Sequence, residues 1–502
     1  MSFASVEAAR CVRLIKRVIS VVTVTLLLIA SRAAAGDAAR TGAFIGAPRA
    51  RIFFPLLHGQ RQLPVTGHSA LVQPKPPAIV PSHPKTESRP ANATVAAPLR
   101  RAGISTHGEN HVIHISSRTL HKHEEQLVNR RLLNCRLRLS EAPTEAVRRK
   151  WRRINRGITF FVRHGRHGSF RGANGVRIVY RAFPHYDSEG ALLPGVVVAT
   201  GWSECHVKYG ELIRDLYRAG FSVFTFDHRC QGLSGHELGE GRPWITHVER
   251  FHHYTDDLTT FVNEVVKATP THRSPAIART RPAPPLFYVA HSMGAFIGLV
   301  AQHNSKQSDP PSPLFCRMAL SAPMLAMKTP AGPNRFAIWL ARIAILAGRK
   351  IRSPLGDHPV ENPELGARIT HDDDRKSAWE RMRGMLPRTM IRGPSFNWIK
   401  EGMKAGFRFK KQWRRFDTPT VVFLAGIDDF VWKSPMRKFC YRAHHTQLVE
   451  FPHAYHNLLS ETDSVRTPLL LHAVNFFRQA IRHTSDGHGH GHGRGRRTKT
   501  RQ

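Results

Sequence analysis

From about residue 119 to 482, short apolar runs alternate with stretches whose apolar residues recur every three or four positions. Residues 286–290 are compact, apolar and partly β-branched or aromatic, as a buried strand requires. Residues 196–200, 221–226, 316–322, 420–426 and 447–451 have the same form. Helical spacing links Tyr209, Leu212, Ile213, Leu216 and Tyr217, with Gly220 as a C-cap. It returns in residues 253–267, after Ala295, at 435–443 and near 466–482. Upstream, residues 119–156 read as helical up to Gly157, and residues 158–162 and 176–183 read as the two strands of a hairpin. Strands alternating with helices predict an α/β class, with a mostly parallel sheet covered on both faces. Such sheets bind ligands at the carboxyl ends of their strands.

One segment, about 323–415, breaks this alternation after the strand at 316–322. It holds an apolar stretch around Phe336, Ile338, Trp339, Leu340 and Ile343, with Arg335, Arg342 and Arg349 seven residues apart. Two readings stand for it: a core helix with a solvated edge, or a cap helix over a site that also touches lipid.

Ser292 sits where the strand at 286–290 turns into a helix. A nucleophile elbow holds a serine there, its hydroxyl exposed and the next N–H aimed at the reacting carbonyl oxygen. The turn needs small residues two before and two after, here Ala290 and Gly294. A serine hydroxyl also needs a base and an acid to orient that base. His456 follows a strand on a loop and is the candidate base, although the chain has 31 histidines. Asp429, just past Gly426, is the candidate acid, with the adjacent Asp428 as the alternative. Chain order Ser, Asp, His is that of hydrolases built on such a sheet. The backbone N–H groups of Met293 and Trp202 are the candidate oxyanion donors. No cofactor or metal is called for, and the alternating His488, His490 and His492 fix no ligand geometry.

Charge changes the picture at the ends. Lys plus Arg is 75 against 36 for Asp plus Glu, a net +39. That excess points to polyanions, either an anionic membrane surface or nucleic acid. Only Glu7, Asp37 and Glu87 are acidic in residues 1–100, so much of the excess lies in extensions. Residues 1–35 run from positive (Arg10, Arg13, Lys16, Arg17) through an uncharged apolar stretch at 18–30 to Ala33-Ala34-Ala35. This is the order of a signal peptide, or of a signal anchor if uncleaved, and places the chain in the secretory pathway or at a membrane. Residues 36–115 are Pro-, Ala- and Arg-rich and read as a disordered basic linker, with a sequon at Asn92. Residues 116–482 form the folded domain, and 483–502 a solvated basic tail. Of six cysteines, Cys11 falls in the targeting segment. The other five form no C-x-x-C. Arg148, Arg149, Lys150, Arg152 and Arg153 read as a phosphate contact or a solvated helix face.

Ala290-His-Ser-Met-Gly294, Asp227-His-Arg-Cys-Gln-Gly-Leu-Ser-Gly235 and Ala454-Tyr-His456 resemble the lysophospholipase and monoacylglycerol lipase branch of the α/β-hydrolases, the serine aminopeptidase-like hydrolases. Ile369-Thr-His371 and residues 392–398 resemble its bacterial lysophospholipases. The resemblance covers residues 145–482 and implies an α/β-hydrolase fold with a helical cap. It implies a serine esterase acting on a single-chain lipid ester; the basic extensions would then hold it at an anionic membrane surface, with no specific nucleic acid expected. Thr200 stands where His is usual, and Cys230 and His453 where Gly is usual. Cys205 and Cys230 follow neighbouring strands, which raises a disulfide near the site. Two other readings remain. One is an aminopeptidase-like hydrolase with Asp372, Asp373 or Asp374 holding a free amine. The other is a non-catalytic protein binding polyanions.

Overall fold

A computed structural model describes residues 117–239, 241–329, 332, 334–354 and 368–486. The targeting segment, the basic linker and the tail from 487 onward lie outside the described residues.

The strands are β1 (Arg166–Arg171), β2 (Arg177–Phe183), β3 (Gly195–Ala199), β4 (Ser222–Phe226), β5 (Ile245–Thr246), β6 (Leu286–His291), β7 (Arg317–Ser321), β8 (Gly393–Pro394), β9 (Thr420–Ala425) and β10 (Thr446–Phe451). Helices α1 (Ser117–Asn134), α2 (Glu145–His164), α3 (Gly210–Arg218), α4 (His252–Phe261), α5 (Pro275–Thr280) and α6 (Ser292–Lys306) precede β7. Helices α7 (Asn334–Leu346), α8 (Asp373–Met385) and α9 (Phe396–Lys410) lie between β7 and β9, and α10 (Lys433–Arg442) and α11 (Asp463–Asp486) complete the chain. Eight strands form one sheet in the order β1-β2-β4-β3-β6-β7-β9-β10. Only β1–β2 and β2–β4 pair antiparallel. This is the α/β-hydrolase fold that the alternation and the motifs imply.

The sheet has a core on each face because successive strand side chains point oppositely. Val196 and Val198 join Leu212, Ile213 and Phe477 on one side. Val197 and Ala199 join Phe261, Met293 and Phe409 on the other. Both sets are buried, so the central strands read as continuous apolar runs rather than alternating ones.

Three expectations change. Gly157 does not end α2, which continues to His164, so residues 158–162 are helical and the hairpin is β1 with β2. A Cβ on Gly157 would lie 2.6 Å from the Glu211 Cα, so this glycine lets α2 cross α3 closely. Cys205 and Cys230 form no disulfide; both are buried free thiols. Cys205 donates to Asp227, and Cys230 accepts from the Glu237 N–H. Most of the α2 cations serve within the fold. Arg148 and Arg152 pair with Glu145, Lys150 with Asp372 and Asp374, and Arg153 with Asp463.

The segment between β7 and β9 carries α7, α8 and α9. Of α7 only the small Ala337 and Ala341 are buried. Phe336 and Trp339 stack at 5.6 Å while staying half exposed, and Leu346 is 88 % exposed. A core helix would bury its large residues instead.

Candidate active site

Strand ends bring the predicted residues together. At the β6–α6 junction Ser292 has φ +49°, a left-handed conformation that costs energy for a residue with a Cβ. This is the strain of a nucleophile elbow. A Cβ on Gly294 would lie 2.4 Å from the Thr200 carbonyl oxygen, so the elbow requires glycine there. The same approach brings the loop after β3, with Gly201 and Trp202, against the first turn of α6. Met293 lies in that turn, where N–H groups have no partner within the helix.

Ser292 Oγ lies 2.9 Å from His456 Nε2, and His456 Nδ1 lies 2.7 Å from Asp428 Oδ2. With the Nδ1 proton donated to the carboxylate, Nε2 is free to accept from the serine hydroxyl. The acid in contact is therefore Asp428 and not the favoured Asp429. The reason is local. Asp428 Oδ1 accepts the N–H groups of Phe430 (2.8 Å) and Val431 (3.0 Å), which closes a turn and directs the carboxylate inward. Asp429, one residue on, faces outward, 41 % exposed, and pairs with Arg368 at 3.1 Å. Burial opposes ionisation of Asp428, but the His456 charge and the hydrogen bonds from His456, Val431 and Phe430 outweigh it, so its pKa falls below the usual carboxylate value.

His291 packs against His456 with ring centroids 4.7 Å apart. Burial pushes its pKa down to about 3, against the opposing pull of Glu204, so it is neutral at ordinary pH. Phe430 covers His456 from another direction at 5.0 Å. Trp202 donates its ring N–H to Thr246 Oγ1 and leans on Trp398, whose own N–H goes to the Tyr254 hydroxyl. Ile369 O accepts the Asn457 N–H and Thr370 Oγ1 donates to Ser460 O, so residues 369–370 run along the loop that carries His456.

The motif at 227–235 is explained by backbone shape. Cys230 has φ +60°, which is why glycine is usual there. Cys205, His206 and Asp227 are buried with donor atoms within 4.8 Å of one another. A cation would need the Cys205 thiolate and free lone pairs on Asp227. The carboxylate instead accepts the N–H groups of His206 (2.6 Å) and Leu233 (2.7 Å) and the Cys205 thiol (3.3 Å). Burial and Asp227 keep that thiol protonated, so the cluster ties down the turn rather than offering a metal site.

A family model described as "Serine aminopeptidase, S33" (Hydrolase_4) matches residues 194–463, more than half of the chain. The chain belongs to this hydrolase family. Lysophospholipase L2 of Escherichia coli strain K12 is 28 % identical over 348 residues, covering 65 % of this chain and 91 % of the relative. A monoacylglycerol lipase of Mycolicibacterium smegmatis is 25 % identical over 205 residues, covering 41 % and 63 %. A soluble variant of the Saccharomyces cerevisiae monoglyceride lipase, solved with a substrate analogue, is 20 % identical with a TM-score of 0.47, covering 63 % of this chain and 94 % of that one.

Two of the acids weighed for binding a free amine are committed elsewhere in this family member. Asp372 pairs with Lys150 and Arg375, and Asp374 with Lys150 and the Trp151 ring N–H. The structure adds one residue that the sequence does not single out, Glu204, whose carboxylate accepts from the Gly201 N–H and from Asn457 Nδ2. Its signal was weak, a lone acid in a Gly-Trp-Ser-Glu turn.

Proposed function

We propose that this chain is a serine hydrolase cleaving the carboxylic ester of a single-chain lipid, a lysophospholipid or monoacylglycerol, through an acyl-enzyme. The Ser292–His456–Asp428 relay carries the reading. Ser292 Oγ attacks the ester carbonyl while its proton passes to His456 Nε2. The N–H groups of Met293 and Trp202 hold the oxyanion. His456 then protonates the departing glycerol oxygen, leaving the acyl group on Ser292. Water, deprotonated by His456, attacks that ester and releases the fatty acid. Asp428 stays ionised throughout and holds the imidazole in the working tautomer.

The names of the bacterial relatives support a lipid ester, and the engagement of Asp372 and Asp374 speaks against the aminopeptidase reading. Membrane association is part of the proposal. The half-exposed Phe336 and Trp339, exposed Leu346 and exposed Arg335, Arg342 and Arg349 suit an anionic lipid surface. The targeting segment would deliver the chain to the secretory pathway or membrane. No described helix is long and apolar enough to cross a membrane.

The test is fatty-acid release from lysophosphatidylcholine and monoacylglycerol by the full chain, with Ser292→Ala alongside. Release abolished by the substitution is the expected result, and the ratio of the two rates names the headgroup class. No release from either ester by folded wild type would overturn the reading.

A further inference from the structure

Three loops meet at the reaction centre. One follows β3 and carries Trp202, one is the elbow at Ser292, and one follows β10 and carries His456. The first and third are irregular and lie far apart in sequence, so their separation is not set by any shared helix or strand. Glu204 stands between them with a side chain only 8 % exposed. Its Oε2 accepts the Gly201 N–H and the Tyr209 hydroxyl, each at 2.6 Å. Its Oε1 accepts Lys208 Nζ at 2.6 Å and Asn457 Nδ2 at 2.7 Å. Gly201 is the residue before Trp202, and Asn457 is the residue after His456.

A carboxylate offers about four acceptor sites, and all four are in use. Gln231 reinforces one side. Its Nε2 donates to Gly201 O (2.8 Å) and Glu204 O (3.1 Å), while its Oε1 accepts the Ser203 N–H (3.3 Å). Burial disfavours the charge on Glu204, but Lys208, His291 and the donated hydrogen bonds bring its pKa down to about 2, so it is anionic wherever the protein is folded at ordinary pH.

We infer that Glu204 is a positioning residue: through Gly201 and Asn457 it fixes the distance between the Trp202 amide and the His456 imidazole. The inference rests on ester hydrolysis at Ser292, since it assigns Glu204 a part in that reaction and none in another. A glutamine has the same shape but turns one acceptor oxygen into a donor. That NH2 must face either Gly201 and Tyr209 or Lys208 and Asn457, so one loop loses its hold. Displacement of a reacting group by about 1 Å costs about 10²-fold in rate, and loss of an oxyanion donor about 10²–10³-fold.

The experiment compares full-length wild type with Glu204→Gln on both lipid esters. Active sites are counted by titration with a fluorophosphonate, and inhibition is measured with an alkyl boronic acid, which forms a tetrahedral adduct on the serine. The expected result is kcat per titrated site lower by about 10–100-fold, KM within about threefold, and boronate affinity falling with kcat while product fatty acid binds as before. A purely structural Glu204 would reduce the melting temperature and the titratable fraction yet leave kcat per titrated site within about twofold of wild type. That outcome overturns the inference. If Glu204→Gln does not fold, Asn457→Ala frees the His456 side from Glu204, together with the Asn457 cap on the Ser460 N–H, and carries the same expectation and the same overturning result. Failure of wild type to turn over either ester would instead overturn the ester reading and the inference with it.

Discussion

Asp428 and Asp429 are neighbours with opposite surroundings, and the difference is measurable. Asp428→Asn leaves His456 Nδ1 facing an amide and disturbs the tautomer, so kcat is expected to fall about 10³–10⁴-fold. Asp429→Asn removes a surface pair with Arg368, worth about 0–1 kcal/mol, and should leave kcat within about twofold. Fatty-acid release by the two variants checks this, and a reversed ranking would reassign the acid. Ser292, Gly294 and His456 were legible from type, spacing and order. The choice between adjacent acids was not, because the direction of a loop side chain follows from the turn that Phe430 and Val431 close on Asp428. A second consequence concerns buried histidines. Burial holds His291 near pKa 3 and His228 and His236 near 4, against about 6.5 unfolded. The unfolded chain therefore binds more protons between those limits. Stability is complete above about pH 6.5 and falls as pH drops through 6 toward 4, before most carboxylates titrate. At pH 5 each contributes a loss on the order of 1–2 kcal/mol. Denaturant midpoints at pH 7.5 and 5 should show the drop, with His236→Leu reducing it; equal midpoints for wild type would refute it.

Elements were legible where burial follows periodicity and illegible where close contact overrides it. The central strands and α3, α6 and α11 follow their apolar patterns because each packs against a sheet face. Gly157 reads as a terminator in the sequence because glycine commonly ends helices. Here its missing Cβ admits the backbone of Glu211 and Gly210. With the helix extended to His164, the strand assigned to 158–162 had to be wrong. Gly157→Val should force α2 off α3 and cost about 1–3 kcal/mol, a fall of several degrees in melting temperature. Gly384→Ala, near the end of α8 with nothing within 4 Å of the added Cβ, should be neutral or stabilise by up to about 1 kcal/mol. Calorimetry of the two variants separates a packing glycine from a spare one; an unaffected Gly157→Val would mean the helices part freely.

At the scale of the whole molecule, charge is sorted by use. Lys150 and Arg153 on α2 and Arg375 on α8 are matched to acids of other elements: Arg375 alone contacts Glu211, Asp372 and Asp463. Those on α7 stand differently. Arg335 and Arg342 are exposed beside a half-exposed Phe336–Trp339 stack, with Arg335 5.9 Å from the Phe407 ring. Apolar rings beside cations suit an interface where rings enter the acyl region and guanidinium groups meet phosphate. Each cation near an anionic surface contributes about 1 kcal/mol, and salt weakens the attraction. The full chain should therefore sediment with vesicles containing phosphatidylglycerol more than with phosphatidylcholine alone, and less at 0.5 M salt, where the Debye length is about 4 Å against about 30 Å in dilute buffer. Replacing Phe336 and Trp339 together by serine should lower the affinity about tenfold or more while leaving hydrolysis of a water-soluble short-chain ester unchanged. The basic extensions would still give salt-sensitive attraction, so the two contributions separate: salt removes the charge part, and the substitution removes the apolar part that persists in salt. Binding unaltered by the double substitution at high salt would show that α7 does not meet the lipid.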